Sequence, residues 1–275
     1  MGGVTLLPKK LLESITTIFT QSRNLGFMNV ARLHYWALRA FLPRGIFSYY
    51  GPKNGSTETL ALRQTGFTWL PNVTDTLPLI QHFLKGQPLE NYFSAHEMRG
   101  EIRSDPVMAT GDCILSDFAR KYTSLAVEFL GLPASRILCH VTVDALFRDK
   151  LGLIRGDGYD GAVNFHRDVD AWRWLKVFVY LTDVDEGDGH HEFYLGSHRQ
   201  FPPELKVIKR YEPEELDHHW GSPKKVTGQA GTCFAENTLA FHRGTTPVKN
   251  SRLALTVVFL DDSVRGIHPG LFRLG

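Results

Sequence analysis

The sequence predicts a mainly β protein with flanking helices, its core a double-stranded β-helix of the jelly-roll or cupin-like kind. Helical periodicity fills the first half, whereas short apolar runs separated by Gly, Asp and Pro fill the second. The candidate metal ligands fall on separate runs, as they would where two sheets face each other across a pocket. The last run, residues 253–260, is apolar on both alternating faces. That suits a strand with a pocket on one side and helices on the other.

In chain order, residues 1–55 are expected to form a helical N-terminal extension packed on the core, ahead of a jelly-roll domain over 56–275. The clearest helix of the extension, 31–42, is rich in helix formers and stops at Pro43 and Gly45. Within 1–60 the basic residues Lys9, Lys10, Arg23, Arg32, Arg39, Arg44 and Lys53 outnumber the acidic Glu13 and Glu58. A basic, aromatic helix can rest on an anionic membrane surface, so weak surface association is the alternative to docking. Residues 51–56, Gly-Pro-Lys-Asn-Gly-Ser, read as a linker. A second helix is expected over 114–130, where Ile114, Leu115, Phe118, Tyr122, Leu125, Ala126 and Phe129 share one face. Asp112 would cap it, and Gly131 with Pro133 would end it. Strands are expected at 137–147, 163–166, 175–181, 231–234, 239–242 and 252–260, and the stretch 199–228 is long enough to form a lid.

Composition narrows the function classes. Among 275 residues, 43% are hydrophobic and 22% charged, as in an ordinary globular protein. A net charge of +2 gives no reason to invoke nucleic acid. Cys113, Cys139 and Cys233 form no C-x-x-C pair, which argues against a disulfide framework or structural zinc and fits a reducing compartment. No run approaches the ~18 apolar residues of a membrane span. The N-terminus lacks a secretory pattern, and Leu6 stands where myristoylation wants Ser or Thr. The expectation is a cytoplasmic protein with a small-molecule partner, no nucleic acid and no stable membrane insertion.

Four residues carry the chemistry: His166, Asp168, His242 and Arg252. Two residues apart on an extended strand, His166 and Asp168 point to one face and can grip one ion. With His242 from a distant strand they make two imidazoles and one carboxylate, the set that binds non-haem Fe(II) and leaves positions open. Arg252, ten residues after His242, opens the last apolar strand and suits bidentate capture of a carboxylate. Thr256 shares its strand face and is a weaker candidate for the same ligand. Lys176, Phe178 and Tyr180 alternate with Leu175, Val177, Val179 and Leu181, and either set could face the pocket; a buried Lys176 would need a partner, either the same carboxylate ligand or an acidic residue. His190, His191, His218 and His219 read as solvated loop residues, His198 as a structural turn residue, and nothing requires Glu236 as a ligand. Trp172 and Trp174 are candidate pocket walls.

The text around these residues has a further pattern. Residues 174–199 contain Leu181-Thr182-Asp183 and the turn Gly196-Ser197-His198, and Ala230-Gly231-Thr232 leads to His242-Arg243-Gly244 and Ser251-Arg252. With Gly66-Phe67-Thr68-Trp69-Leu70 near the start, the chain over roughly 60–262 resembles the phytanoyl-CoA dioxygenase family of Fe(II)/2-oxoglutarate-dependent oxygenases. Leu195 departs from the Pro that commonly precedes Gly-Ser-His in that family. The resemblance implies His166, Asp168 and His242 as iron ligands and Arg252 on the far carboxylate of 2-oxoglutarate. It implies Fe(II), 2-oxoglutarate and O2 as cofactor and cosubstrates, with hydroxylation of a small molecule and release of succinate and CO2. Because Asp168 is retained, no coordination position is left for a halide, and hydroxylation rather than halogenation is expected. The competing readings are a jelly-roll protein that binds metal or ligand without catalysis, and a hydroxylase that modifies a partner protein.

Overall fold

The structure, a computed structural model, describes residues 54–99, 107–109, 113–148, 163–168, 171, 173–199, 202, 204–205, 210–262 and 271–274. The expected helix at 31–42, nearly all of the expected extension, Asp112 and Trp172 lie outside these residues.

Helix α1 (Thr57–Thr65) begins where the Ser56 hydroxyl accepts the Thr59 N–H and ends on Gly66 in the left-handed conformation. A Cβ on Gly66 would also strike the His198 ring. Strand β1 (Phe67–Leu70) follows, then α2 (Leu77–Leu84), α3 (Leu89–Met98) and β2 (Val107–Ala109). The single helix expected at 114–130 is two, α4 (Cys113–Arg120) and α5 (Thr123–Leu130). At the break, Lys121 and Tyr122 donate to carbonyls three residues back, those of Phe118 and Ala119. No Gly or Pro marks the place. The turn brings the Tyr122 hydroxyl to 3.3 Å from Cys233 Sγ, a tertiary contact that local periodicity does not encode.

The β half comprises β3 (Ile137–Leu146), β4 (Trp174–Tyr180), β5 (His191–Phe193), the helix α6 (Pro213–Trp220), β6 (Lys224–Val226), β7 (Cys233–Glu236), β8 (His242–Gly244), β9 (Arg252–Asp261) and β10 (Phe272–Arg273). The larger sheet runs β1-β7-β4-β9-β3-β10 with β2 also on β3, and the smaller runs β6-β5-β8. All these pairings are antiparallel. Phe67, Tyr180, Phe234 and Ala254 of the larger sheet pack with Phe193 and Val226 of the smaller, so the two sheets face each other as a jelly roll. On the opposite face of the larger sheet, Leu175, Val177 and Val179 of β4 and Leu253, Leu255, Val257 and Phe259 of β9 form the main core with Leu62, Phe118, Ala126 and Phe129 of the helices.

Strand alternation therefore settles which set of β4 faces the site: Trp174, Lys176, Phe178 and Tyr180 do. On β9 it sends Arg252, Ala254, Thr256 and Val258 the same way. The expected strand at 163–166 is reduced to single-residue pairings, Phe165 with Tyr211 and His166 with His242. The strands expected at 231–234 and 239–242 begin later, at Cys233 and His242. Gln229 and Asn237 each open a turn there: the Thr232 N–H bonds Gln229 O, and that of Ala240 bonds Asn237 O. Strands β5 and β6 were not legible, since neither has an apolar run.

Gly231 has φ +92°, and an added Cβ would meet the Val73 carbonyl oxygen at 2.0 Å. The same glycine donates to the Tyr180 carbonyl and accepts from Val73, fixing the entry to β7. Gly231→Ala should therefore cost about 2 kcal/mol or more, from a forced left-handed residue plus a backbone clash; urea denaturation reads this, and an unchanged midpoint would refute the constraint.

Candidate metal centre

His166 and His242 sit opposite each other and exchange both backbone hydrogen bonds, N–H to carbonyl, at 3.0 Å each way. This pairing, outside the regular strands, brings two residues 76 positions apart in sequence to one place. Their rings lie with centroids 4.3 Å apart. Each Nδ1 donates to a local backbone carbonyl, His166 to Asn164 at 2.8 Å and His242 to Ala240 at 3.0 Å. That assignment leaves each Nε2 facing Asp168, 3.7 Å from Oδ1 for His166 and 3.3 Å from Oδ2 for His242.

Asp168 does not belong to a regular strand, contrary to the expectation that a shared strand face would align it with His166. It is placed instead by its backbone N–H, which donates to Thr238 O at 2.8 Å. Thr238 is in turn held by the buried indole of Trp174, whose Nε1 donates to Thr238 Oγ1 at 2.9 Å. Trp174 is fully buried, so it supports the ligand loop and is not the open pocket wall that sequence suggested.

Three ligand atoms of His166, Asp168 and His242 lie within 4.8 Å of one another, close enough for one ion. Burial and then the neighbouring His242 charge depress the His166 imidazole to about 3, so it is a neutral donor. For His242 burial works in the same direction, but the adjacent Asp168 carboxylate outweighs it and raises the ring above its ordinary value. Burial likewise opposes the Asp168 charge, yet Lys176 and His242 hold that carboxyl well below the usual range. Two imidazole Nε2 atoms and an ionised carboxylate converging in a buried place are the donor set of a divalent metal once the His242 proton is displaced, and the residues present fit one. Among the described residues one other group could hold an ion, Glu204 with His218 and His219, and it is far more exposed. His218 and His219 close helix α6 and do not form a loop.

Lys176 has the acid it requires: Nζ lies 2.6 Å from Asp168 Oδ2. Arg252 is buried on β9 with one guanidinium nitrogen on Gly189 O and its carbon 5.8 Å from the Tyr180 ring centroid. Gly189 has φ +77°, and a Cβ there would fall 2.7 Å from Pro247. Thr256 lies four residues further along the same face, its hydroxyl donating to Asp144 Oδ2 at 3.4 Å. The triad and Lys176 thus meet directly, whereas Thr256 and Arg252 lie further along the same face of β9, Thr256 opposite Phe178 and Arg252 beyond the Ala254–Tyr180 pair, with Lys176 itself opposite Val258.

Several functional contacts escaped sequence reasoning. His190 and His191 are buried, not solvated. His190 Nε2 lies 3.2 Å from Glu192, whose other oxygen accepts from Arg243 at 2.8 Å, so this histidine belongs to a structural network. His191 Nε2 lies 2.9 Å from Glu236, which is itself fully buried. Arg167, between the ligands, is buried with its guanidinium 4.0 Å from the Phe241 ring centroid and donates to Leu239 O and Ser197 O, each at 3.0 Å. It thereby ties the first ligand segment to the second. Ser197 completes the clamp by accepting the Phe241 N–H at 2.8 Å, and His198 contacts Arg63 O at 3.1 Å, the structural role expected of the Gly-Ser-His turn. The alternation of His166-Arg167-Asp168 was a usable signal: an Arg between two inward ligands points to the opposite, equally buried side.

No protein-family model and no curated protein matches the chain. Solved structures do share its fold. The apo form of EctD from S. alaskensis has a TM-score of 0.54 at 15% identity, covering 79% of this chain and 82% of that one. The same enzyme with bound Fe has a TM-score of 0.51 at 14% identity, covering 75% and 76%.

Arg167→Leu removes two charge-assisted hydrogen bonds and leaves two buried carbonyls without their donor. The expected loss of stability is about 3 kcal/mol or more. Calorimetric or urea unfolding measures it, and a change within ~0.5 kcal/mol would show that the clamp is dispensable.

Proposed function

We propose that this chain is a mononuclear non-haem Fe(II)- and 2-oxoglutarate-dependent dioxygenase that hydroxylates a small organic molecule. The observation that carries the reading is the pair of Nε2 atoms, oriented by backbone carbonyls on Nδ1 and brought together with an Asp168 oxygen within the reach of one ion. The jelly-roll scaffold shared with an iron-bound EctD supports it. The phytanoyl-CoA dioxygenase-like motifs at Asn164–Asp168, Gly196–His198 and His242–Arg252 give the finer family assignment.

In this reading His166, Asp168 and His242 hold the metal on one side and leave its other side to ligands. Bound there, Fe(II) supplies oxygen activation coupled to the oxidative decarboxylation of 2-oxoglutarate to succinate and CO2. Arg252 binds the far carboxylate of 2-oxoglutarate as a buried, permanently charged fork, with the Thr256 hydroxyl on the same face. Lys176 binds Oδ2 of Asp168 and fixes that carboxylate's orientation, an acidic partner being one of the two that the sequence offered and the cosubstrate the other. The aromatic residues Phe178, Tyr180 and Phe234 exclude water from the space between the sheets, which strengthens each of these charged contacts. Among the described residues no helix is long and apolar enough to cross a membrane. The small-molecule substrate and a cytoplasmic setting are part of the same proposal.

The test is succinate formation by the Fe(II)-supplied protein with 2-oxoglutarate and oxygen. His166→Ala and His242→Ala should lose bound iron and succinate formation while circular dichroism stays unchanged; iron content and turnover equal to wild type would refute the site. Arg252→Leu should raise the KM for 2-oxoglutarate about tenfold to somewhat over a hundredfold, the worth of a buried charged hydrogen-bond pair of roughly 1.5–3 kcal/mol. An unchanged KM would remove Arg252 from this role.

A further inference from the structure

Glu236 ends β7 directly opposite Lys176 on β4, with none of its surface exposed. Neither carboxylate oxygen has a hydrogen-bond partner among the described residues, although Oε2 lies 2.9 Å from His191 Nε2. The two atoms are in ion-pair range without the alignment of a hydrogen bond. Burial pushes the Glu236 carboxyl up to about 8, which expresses how unfavourable a lone carboxylate is in this place. An apolar residue of similar volume would be at least as stable there, so packing does not account for the acid.

His191 is held on three sides. Its ring is parallel to that of His242 at 5.7 Å between centroids, tilted on Phe178 at 4.9 Å and edge-on to Phe234 at 5.7 Å. Gly189, two residues before it, accepts from Arg252, and Phe193, two residues after it, pairs with His242. His191 therefore stands on the smaller sheet between the guanidinium and the metal ligands, and it feels the charges of both. Its Nδ1 makes no hydrogen bond to any described residue.

We propose that His191 is a further binding residue for the 2-oxoglutarate cosubstrate, with Glu236 as its positioning residue. Glu236 occupies the Nε2 side of the ring as a buried, protonated carboxyl that presents its proton to Nε2, so Nδ1 carries the ring proton and donates to an oxygen of the bound 2-oxo acid, between the Arg252 end and the metal end. The His242 stack and the two phenylalanines keep the ring plane fixed while the ligand is absent, so little ordering remains to be done on binding. This inference rests on the dioxygenase reading, since it needs a 2-oxo dicarboxylate in that space.

Isothermal titration with Mn(II) alone, then with 2-oxoglutarate on the Mn(II)-loaded protein, tests it without turnover. In His191→Phe, which keeps the ring stack and deletes the N–H, the Kd for Mn(II) should stay within about twofold of wild type. The Kd for 2-oxoglutarate should rise about tenfold, the value of one hydrogen bond of roughly 1.4 kcal/mol. His191→Gln, which restores a side-chain N–H, should recover part of that loss, and Glu236→Leu should reproduce the His191→Phe effect in weaker form. A 2-oxoglutarate Kd unchanged in His191→Phe overturns the inference while leaving the dioxygenase reading intact, as does a parallel loss of Mn(II) affinity in both His191 variants. No binding of 2-oxoglutarate by the Mn(II)-loaded wild type overturns both.

Discussion

The reciprocal backbone pairing of His166 with His242 is the constraint on which the rest depends. Each residue gives its N–H and takes the other's, so the two α-carbons cannot drift apart without losing two hydrogen bonds in a buried place. Because the pairing is by backbone, both side chains are free to face the same point, and backbone carbonyls at Asn164 and Ala240 then choose the tautomer. Arg167 and Ser197 reinforce the pairing from the opposite side. The third ligand is attached to the same segment by one further backbone bond, from Asp168 to Thr238, which Trp174 braces. Metal-ligand geometry is thus inherited from main-chain hydrogen bonds, which are insensitive to side-chain rotamers.

The electrostatics follow from that arrangement. Asp168 is pulled at by Lys176 and His242 at once, and in the absence of a metal it satisfies both. A divalent ion would displace the proton of His242 and share the carboxylate with Lys176, so metal and lysine compete for one oxygen and divide the other's work. Glu236, buried beside His191, has the opposite fate to Asp168: burial without a close cation favours its protonated form.

Much of this was legible in the sequence, and for identifiable reasons. Strands β3, β4 and β9 announce themselves because both faces are covered, which makes the runs long and apolar. His166, Asp168, His242 and Arg252 stand out as candidates because of their spacing, and Lys176 because it is a charge inside an apolar strand. The short strands β5 and β6 were missed since they have polar sequences, His-Glu-Phe and Lys-Lys-Val, whose burial comes from the partner sheet alone. The same blindness turned His191 into a loop residue and left Glu236 without a role: two polar residues 45 positions apart give no signal until the sheets close. The break between α4 and α5 was hidden because a distant cysteine contact, not a Gly or Pro, accompanies it.

The most direct measurement is anomalous diffraction at the iron edge from crystals grown without oxygen, with Fe(II) and 2-oxoglutarate. The account predicts one strong peak equidistant, at roughly 2.0–2.3 Å, from His166 Nε2, His242 Nε2 and an Asp168 oxygen, with density for the cosubstrate leading from it to Arg252. A peak elsewhere, such as among Glu204, His218 and His219, or ligation through Nδ1 of either ring, would contradict it.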